Sequence, residues 1–229
     1  MVGGRDSLLV VTFRWRSAFQ ISCRVCSALW EPFGCGTRYS KSNHSSMFRS
    51  DILRKEEIVP LIKRSALHRE ATTLIHHFEE AWEMRDPMHL TLSDMDRILQ
   101  FKLRGQIGRQ RALRATTEEQ VLRRVTALAL TINTRPDTYL TEIRMRTLCA
   151  LRGVGVPVAS AILALVFPQQ YAIIDRRNWR ILTDTTKTSF TVPDYLRYLA
   201  HLRGLAENFG FTPQQIDLAL WQKDVERTD

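Results

Sequence analysis

Residues 158–167 read Val-Ala-Ser-Ala-Ile-Leu-Ala-Leu-Val-Phe, ten positions with one polar side chain, Ser160. Pro157 before this run suits the first turn of a helix, and Pro168 ends it. A helix that is apolar almost all round has no face to offer water, so other elements must enclose it. That requirement points to a core helix packed on several sides. The rest of the chain supplies helices for the purpose. Residues 66–84 place Leu67, Ala71, Leu74, Ile75, Phe78 and Trp82 at spacings of three and four, which predicts an amphipathic helix. Leu92 to Leu103 gives a second stripe in Met95, Ile98, Leu99 and Leu103, with Thr91 or Ser93 as its cap. Thr116-x-x-Glu119 reads as a capping box opening a helix to about Ile132, and Asp137 or Thr138 starts another that runs to Arg152. Thr191-Val-Pro193 and Thr212-Pro-Gln-Gln215 mark two further helix starts. No series of short alternating strands appears, and the expected fold class is all-α.

Charge narrows the partners. There are 33 Lys and Arg against 24 Asp and Glu, a formal net charge of +9, and such a chain is drawn to polyanions. No apolar run reaches the roughly 18 residues needed to span a bilayer. Four cysteines, Cys23, Cys26, Cys35 and Cys149, are too few and too unevenly spaced for a disulfide framework. Cys23-x-x-Cys26 with Cys35 and His44 has the residue types of a zinc site but an irregular spacing, and unpaired thiols are the plainer reading. Residues 1–50 hold seven Arg or Lys, two acids (Asp6 and Glu31) and nine serines. That composition resembles an organelle transit peptide, or an upstream extension with Met47 as the start. The expected division is therefore 1–49, a poorly ordered basic extension, and 50–229, one globular domain. Compartment depends on the first part: nuclear or cytoplasmic without a targeting peptide, mitochondrial with one.

The most informative stretch is residues 139–182. A helix presents Leu140, Ile143, Leu148 and Leu151, the chain turns through Gly153-Val154-Gly155, and the apolar helix follows. Two glycines let a backbone turn sharply and leave its surface bare, so N–H groups in the turn and at the next helix start can approach a phosphate closely. A plain corner with a glycine C-cap uses the same residues. After the apolar helix comes Tyr171-Ala-Ile-Ile174 and then Asp175.

The longer string, Leu151-x-Gly153-Val154-Gly155-x-x-x-Ala159-x-x-x-Leu163 followed twelve residues later by Asp175, resembles the helix-hairpin-helix DNA glycosylases of the endonuclease III and 8-oxoguanine glycosylase types. The resemblance covers about residues 139–183. It implies a two-lobed all-helical fold, and a hairpin (Leu151, Arg152, Gly153, Val154, Gly155, Val156) that grips the DNA backbone. It also implies that Asp175 is the catalytic carboxylate. Trp179 falls where the 8-oxoguanine type has a tryptophan, and Arg180 where the endonuclease III type often has an arginine. Three departures qualify it. Pro157 occupies the place of the lysine nucleophile of bifunctional members, so Schiff-base chemistry from that position is excluded. Arg177 stands where histidine is common. No cysteine follows Cys149, so the iron–sulfur cluster of the endonuclease III type is absent. No other cofactor is implied, apart from a monovalent cation at the hairpin.

The expected chemistry follows from the aspartate. As a base leaves, the deoxyribose becomes oxocarbenium-like, and an ionised carboxylate beside it stabilises that charge and orients water. Without a lysine the enzyme would be monofunctional and leave an abasic site, after flipping the base out of the stack. Asp175 also precedes Arg-Arg-Asn-Trp and serves equally as a helix N-cap. Lys102, Arg104, Arg176, Arg177 and Arg180 are candidate phosphate contacts. The run 101–114, with five basic residues and no acid, reads equally as a solvated loop. Trp179 and Tyr171 are candidate pocket residues, with core packing the favoured reading of each. The partner expected is double-stranded DNA, with no membrane and a monomeric protein. Two other functions stay open: a DNA-binding module that has lost the chemistry, and an interaction protein whose hairpin is only structural.

Overall fold

The structure, a computed structural model, describes residues 47–104, 117–135 and 137–228. The expectations placed on residues 1–46, including the Cys23, Cys26, Cys35 and His44 grouping, and on the basic run after Arg104 lie outside the described residues. Within them the chain is all helical, with nine helices and no strand. These are α1 Lys55–Arg64, α2 Ala66–Met84, α3 Leu92–Leu103, α4 Glu119–Thr131, α5 Asp137–Cys149, α6 Val156–Val166, α7 Arg176–Thr183, α8 Val192–Phe209 and α9 Pro213–Thr228.

Helix α6 occupies the centre that its composition demands. Nine of its residues are buried, from Val156 to Leu165 with only Pro157 half-open, and α2, α3, α5 and α8 all pack on it. A second group forms around α9, which packs on α1, α7 and α8. Local chemistry sets the helix starts. Thr91 accepts from the Asp94 N–H, while the Asp94 carboxylate takes the Thr91 N–H at 2.8 Å. Thr191 and Asp194 repeat that reciprocal box at α8, and Thr212 with Gln215 at α9. Helix α8 stops at Gly210, whose φ of 78° is the left-handed conformation that glycine adopts freely.

Three boundaries differ from the sequence reading. Helix α5 ends at Cys149, before Arg152, because the left-handed Gly153 turn needs the preceding residues to unwind. Helix α4 starts at Glu119, with Glu118 as its N-cap and no side-chain cap bond there, later than the expected box implies, and Thr116 of that box lies outside the described residues. The third concerns Phe48, assigned by sequence to the extension. It is a core residue whose ring lies 5.3 Å from Trp179 and 5.2 Å from His201. The Arg49 N–H donates to the Leu182 carbonyl at 2.9 Å. Apolar burial fixes this short segment to α7 and α8, so the domain begins before residue 50. Among the described residues no helix is long and apolar enough to cross a membrane.

Candidate functional site

Asp175 stands at the end of an extended segment, residues 171–175, that has no strand partner. Side chains from four helices satisfy its backbone instead. The Ala172 carbonyl accepts the Tyr195 hydroxyl at 3.0 Å, and the Ile173 carbonyl the Tyr198 hydroxyl at 3.1 Å. The Ile173 N–H donates to the Asp217 carboxylate and the Ile174 N–H to the Ser160 hydroxyl, both at 3.1 Å. The Ile174 carbonyl accepts from Lys102 Nζ at 3.3 Å. Buried backbone groups must find partners, and for these five the partner is a side chain. Ser160, the one polar residue of α6, also donates to the Pro157 carbonyl at 2.9 Å. It thereby joins the first turn after the glycine corner to the residue that precedes Asp175.

The two oxygens of Asp175 have separate tasks. Oδ1 accepts the N–H groups of Arg177 and Asn178, both at 2.9 Å, and caps α7. A cap of this kind contributes about 1 kcal/mol. Oδ2 lies 3.5 Å from Lys102 Nζ. The cap reading and the cleft reading therefore hold at the same time on one side chain. Lys102 reaches it from the last turn of α3, with its side chain 10% exposed against 23% for Asp175.

Both groups open on a cleft of about 80 Å³, walled by Phe101 and Trp221, whose lining includes a second carboxylate, Asp217. The sequence reading passed over Asp217 and Trp221. The available signal was an acid inside the apolar run Ile216-Asp-Leu-Ala-Leu220 of a helix buried on most sides. Asp217 accepts from the Ile173 N–H and the Asn178 side-chain amide, and its Oδ1 lies 3.2 Å from the Tyr198 hydroxyl. Burial, and then the neighbouring charge of Asp175, push its carboxyl up to about 8, against the opposing pull of Lys102, the Ile173 N–H and Tyr198.

The glycine corner separates two kinds of glycine. Gly153 has φ 76°, a conformation that a side chain resists. Gly155 has φ −88° and ψ 176°, ordinary extended backbone, and caps α6. A Cβ on Gly155 would meet nothing nearer than Pro157 Cδ at 3.8 Å, so the protein's own packing does not require glycine there. Leu151, Val154 and Val156 point inward and are buried, while Arg152 and Gly155 are exposed. Pro157 has no N–H, and the Val158 and Ala159 N–H groups donate to the Gly155 carbonyl, both at 2.9 Å, so in the first turn of α6 the Val156 N–H is the one left without an acceptor in the helix, and Gly155 beside it carries no side chain. A monovalent cation at this turn would be held by backbone carbonyls. The Leu151 carbonyl accepts the Val154 N–H at 3.1 Å and has a second lone pair for an ion, so the donor set is compatible with one. Among the described residues no group of three His, Cys, Asp or Glu is placed to hold a metal ion.

Several candidate residues are used elsewhere. Tyr171 is 0% and Trp179 1% exposed, and neither lines the cleft. Tyr171 receives a bond from Arg144 at 3.1 Å. Trp179 is wedged between Phe48 and Phe190, its ring 5.3 and 5.4 Å from theirs. Large aromatic area was worth more to the core than to a pocket. Arg177 and Arg180 both bind Asp224, a carboxylate with no exposed side-chain surface, because a buried charge needs countercharge. Arg104 lines the cleft and pairs with Glu70 at 3.4 Å. Arg176 is exposed.

Comparison with known proteins returns nothing: no family model, curated protein or solved structure matches the chain. The argument for function therefore rests on the chemistry of the cleft. It offers a fixed carboxylate, an amine beside it, a second carboxyl with a raised proton affinity and two aromatic walls.

Proposed function

We propose that the protein is a monofunctional DNA glycosylase of base excision repair, hydrolysing the bond between a damaged or mismatched base and its deoxyribose in duplex DNA. The observation that carries this reading is the split use of Asp175, a cleft-lining residue whose Oδ1 is fixed by two N–H groups while Oδ2 is left to Lys102 at 3.5 Å. A carboxylate held that way does not reorganise as positive charge develops on a sugar, which is the condition for electrostatic stabilisation. The Ser160 bridge supports it, since a backbone gripped at Gly155 lies beside the segment that carries Asp175. At about 80 Å³ the cleft is below the roughly 300 Å³ of common ligand pockets, so a flipped base enters as Phe101 and Trp221 part. The net charge of +9 favours the polyanionic partner.

Lys102 supports a second reading in which the same protein also cleaves the strand. Its amine is 3.5 Å from an Asp175 oxygen that can take its proton. The free amine then adds to C1′ of an abasic sugar and water leaves. Asp175, having given that proton to the departing water, accepts the C2′ proton of the iminium, and the C3′–O bond breaks with the phosphate as leaving group.

The test is incubation with duplexes carrying different damaged or mismatched bases, followed by alkali. Excision that disappears in Asp175→Asn while binding persists supports the glycosylase. Binding without excision on every duplex replaces it with a binding module. Borohydride trapping on an abasic duplex, lost in Lys102→Arg, favours the second reading.

A further inference from the structure

Asp175 and Asp217 line the same small cleft, and their surroundings differ in kind. Asp175 is given everything an anion needs: two backbone N–H donors, the N-terminus of α7, solvent and the Lys102 amine. Asp217 is 3% exposed and enclosed by α7, α8 and the extended segment. Its hydrogen bonds contain a shortage. The Tyr198 hydroxyl has one hydrogen, yet lies 3.1 Å from the Ile173 carbonyl and 3.2 Å from Asp217 Oδ1. If Asp217 is ionised, the Asn178 amide still supplies Oδ1 with a hydrogen, but when Tyr198 donates to Ile173 the 3.2 Å contact between Oδ1 and the Tyr198 oxygen has none. If Asp217 carries a proton, its O–H donates to Tyr198, and Tyr198 donates onward to Ile173, so the chain closes.

We propose that Asp175 and Asp217 form an unequal carboxyl pair on the cleft floor, in which Asp217 holds a proton, Asp175 holds the charge, and Lys102 is left to Asp175 alone. The inference rests on the glycosylase reading for its functional consequence. Asp217 is then a positioning residue. Through the Ile173 N–H and the Tyr198 chain it fixes the segment ending at Asp175, and as a neutral group it does not compete for Lys102. Its loss of a proton puts a second negative charge beside the first, draws Lys102 between them and repels DNA phosphates. The groups facing Asp217 are Lys102 from α3, Asp175 and Asn178 at α7, and Tyr195 and Tyr198 from α8. Burial raises both tyrosines well above their usual range, so they stay neutral while Asp217 titrates. The raised proton affinity of Asp217, to about 8, agrees with the hydrogen count.

The experiment is side-chain carboxyl NMR of the full chain labelled with 13C-aspartate, with the Asp217 resonance assigned by its absence in Asp217→Asn. A resonance still protonated at pH 7, moving only on the alkaline side, is expected. A resonance already ionised at pH 6 overturns the pair. Single-turnover excision measured against pH reads the functional role. Wild-type rates are expected to fall above about pH 8, and Asp217→Asn, scaled to its own plateau, to lack that fall. The same alkaline fall in the variant overturns the role, whatever the variant does to stability. Absence of excision on every duplex overturns the role and the glycosylase reading together, and the NMR titration still decides the pair.

Discussion

Ser160 accepts the backbone N–H of Ile174 at 3.1 Å through its hydroxyl. It is the single polar side chain of the most buried helix, and it spends that polarity on the residue before Asp175. Ser160→Ala leaves a buried N–H without a partner, which costs about 1–3 kcal/mol. Denaturant melts are expected to show that loss, and excision to fall further than stability accounts for, because the segment carrying Asp175 loses a tether. A variant as stable as wild type would show that the bond does not hold the segment.

The two glycines of the corner make opposite predictions. Gly153→Ala places a side chain at φ 76° and is expected to cost about 1 kcal/mol of stability. Gly155→Ala meets no neighbour closer than 3.8 Å and is expected to melt like wild type. Its added methyl sits on the residue next to the Val156 N–H, where a phosphate would approach, so affinity for duplex DNA is expected to drop on the order of tenfold. Thermal melts and binding at one fixed salt concentration separate the two effects.

Arginines near Asp175 divide by burial. Arg180 and Arg177 bond Asp224, with Arg227 at 3.8 Å, and removing Arg180 takes the tightest of three countercharges from a buried carboxylate. A cost of about 2 kcal/mol is expected, below the full penalty for a buried pair because the arginine is partly solvated. Arg176→Ala is expected to leave stability unchanged and to reduce the slope of log affinity against log salt by about 1. Titration of DNA binding across salt concentrations checks both.

Stability against pH is expected to have two limbs of opposite origin. Burial works to raise the Asp94 carboxyl, but bonds from Arg85, His77 and Thr91 outweigh it and hold it at about 2. Its contribution is present above the unfolded value near 4 and is lost as pH falls through about 2. Asp217 acts in the other direction. Its folded form keeps a proton that the unfolded chain has released, so stability declines as pH rises from about 4 to about 8 and levels off beyond. Asp217→Asn is expected to flatten the second limb and leave the first. Melting curves from pH 2 to pH 9 on both proteins test the assignment.

What the sequence disclosed and withheld follows from how each residue is held. Helix α6 was legible because its lack of polar positions is a local property, and the Thr191 and Thr212 caps because a cap closes within four residues. Asp175 was legible as an N-cap for the same reason. Lys102 is 72 positions from Ile174, and its closeness to Asp175 depends on α3 packing against α6, which no periodicity reports. Asp217 looks like a misplaced acid in an apolar helix until Ile173 and Tyr198 are set beside it. Trp179 stayed open to a pocket role because a tryptophan four residues after an N-cap shares its helical face, and the structure settles it on the favoured core reading, its ring turned to Phe48.

The unpaired strand before Asp175 has a consequence for motion. By secondary structure residues 172–174 are irregular chain, the class expected to breathe on fast timescales. By bonding they are clasped through five backbone groups. Amide deuterium uptake at Ile173 and Ile174 should be as slow as in the middle of α6, so this nominal loop serves as a rigid rail and any opening of the molecule pivots around it.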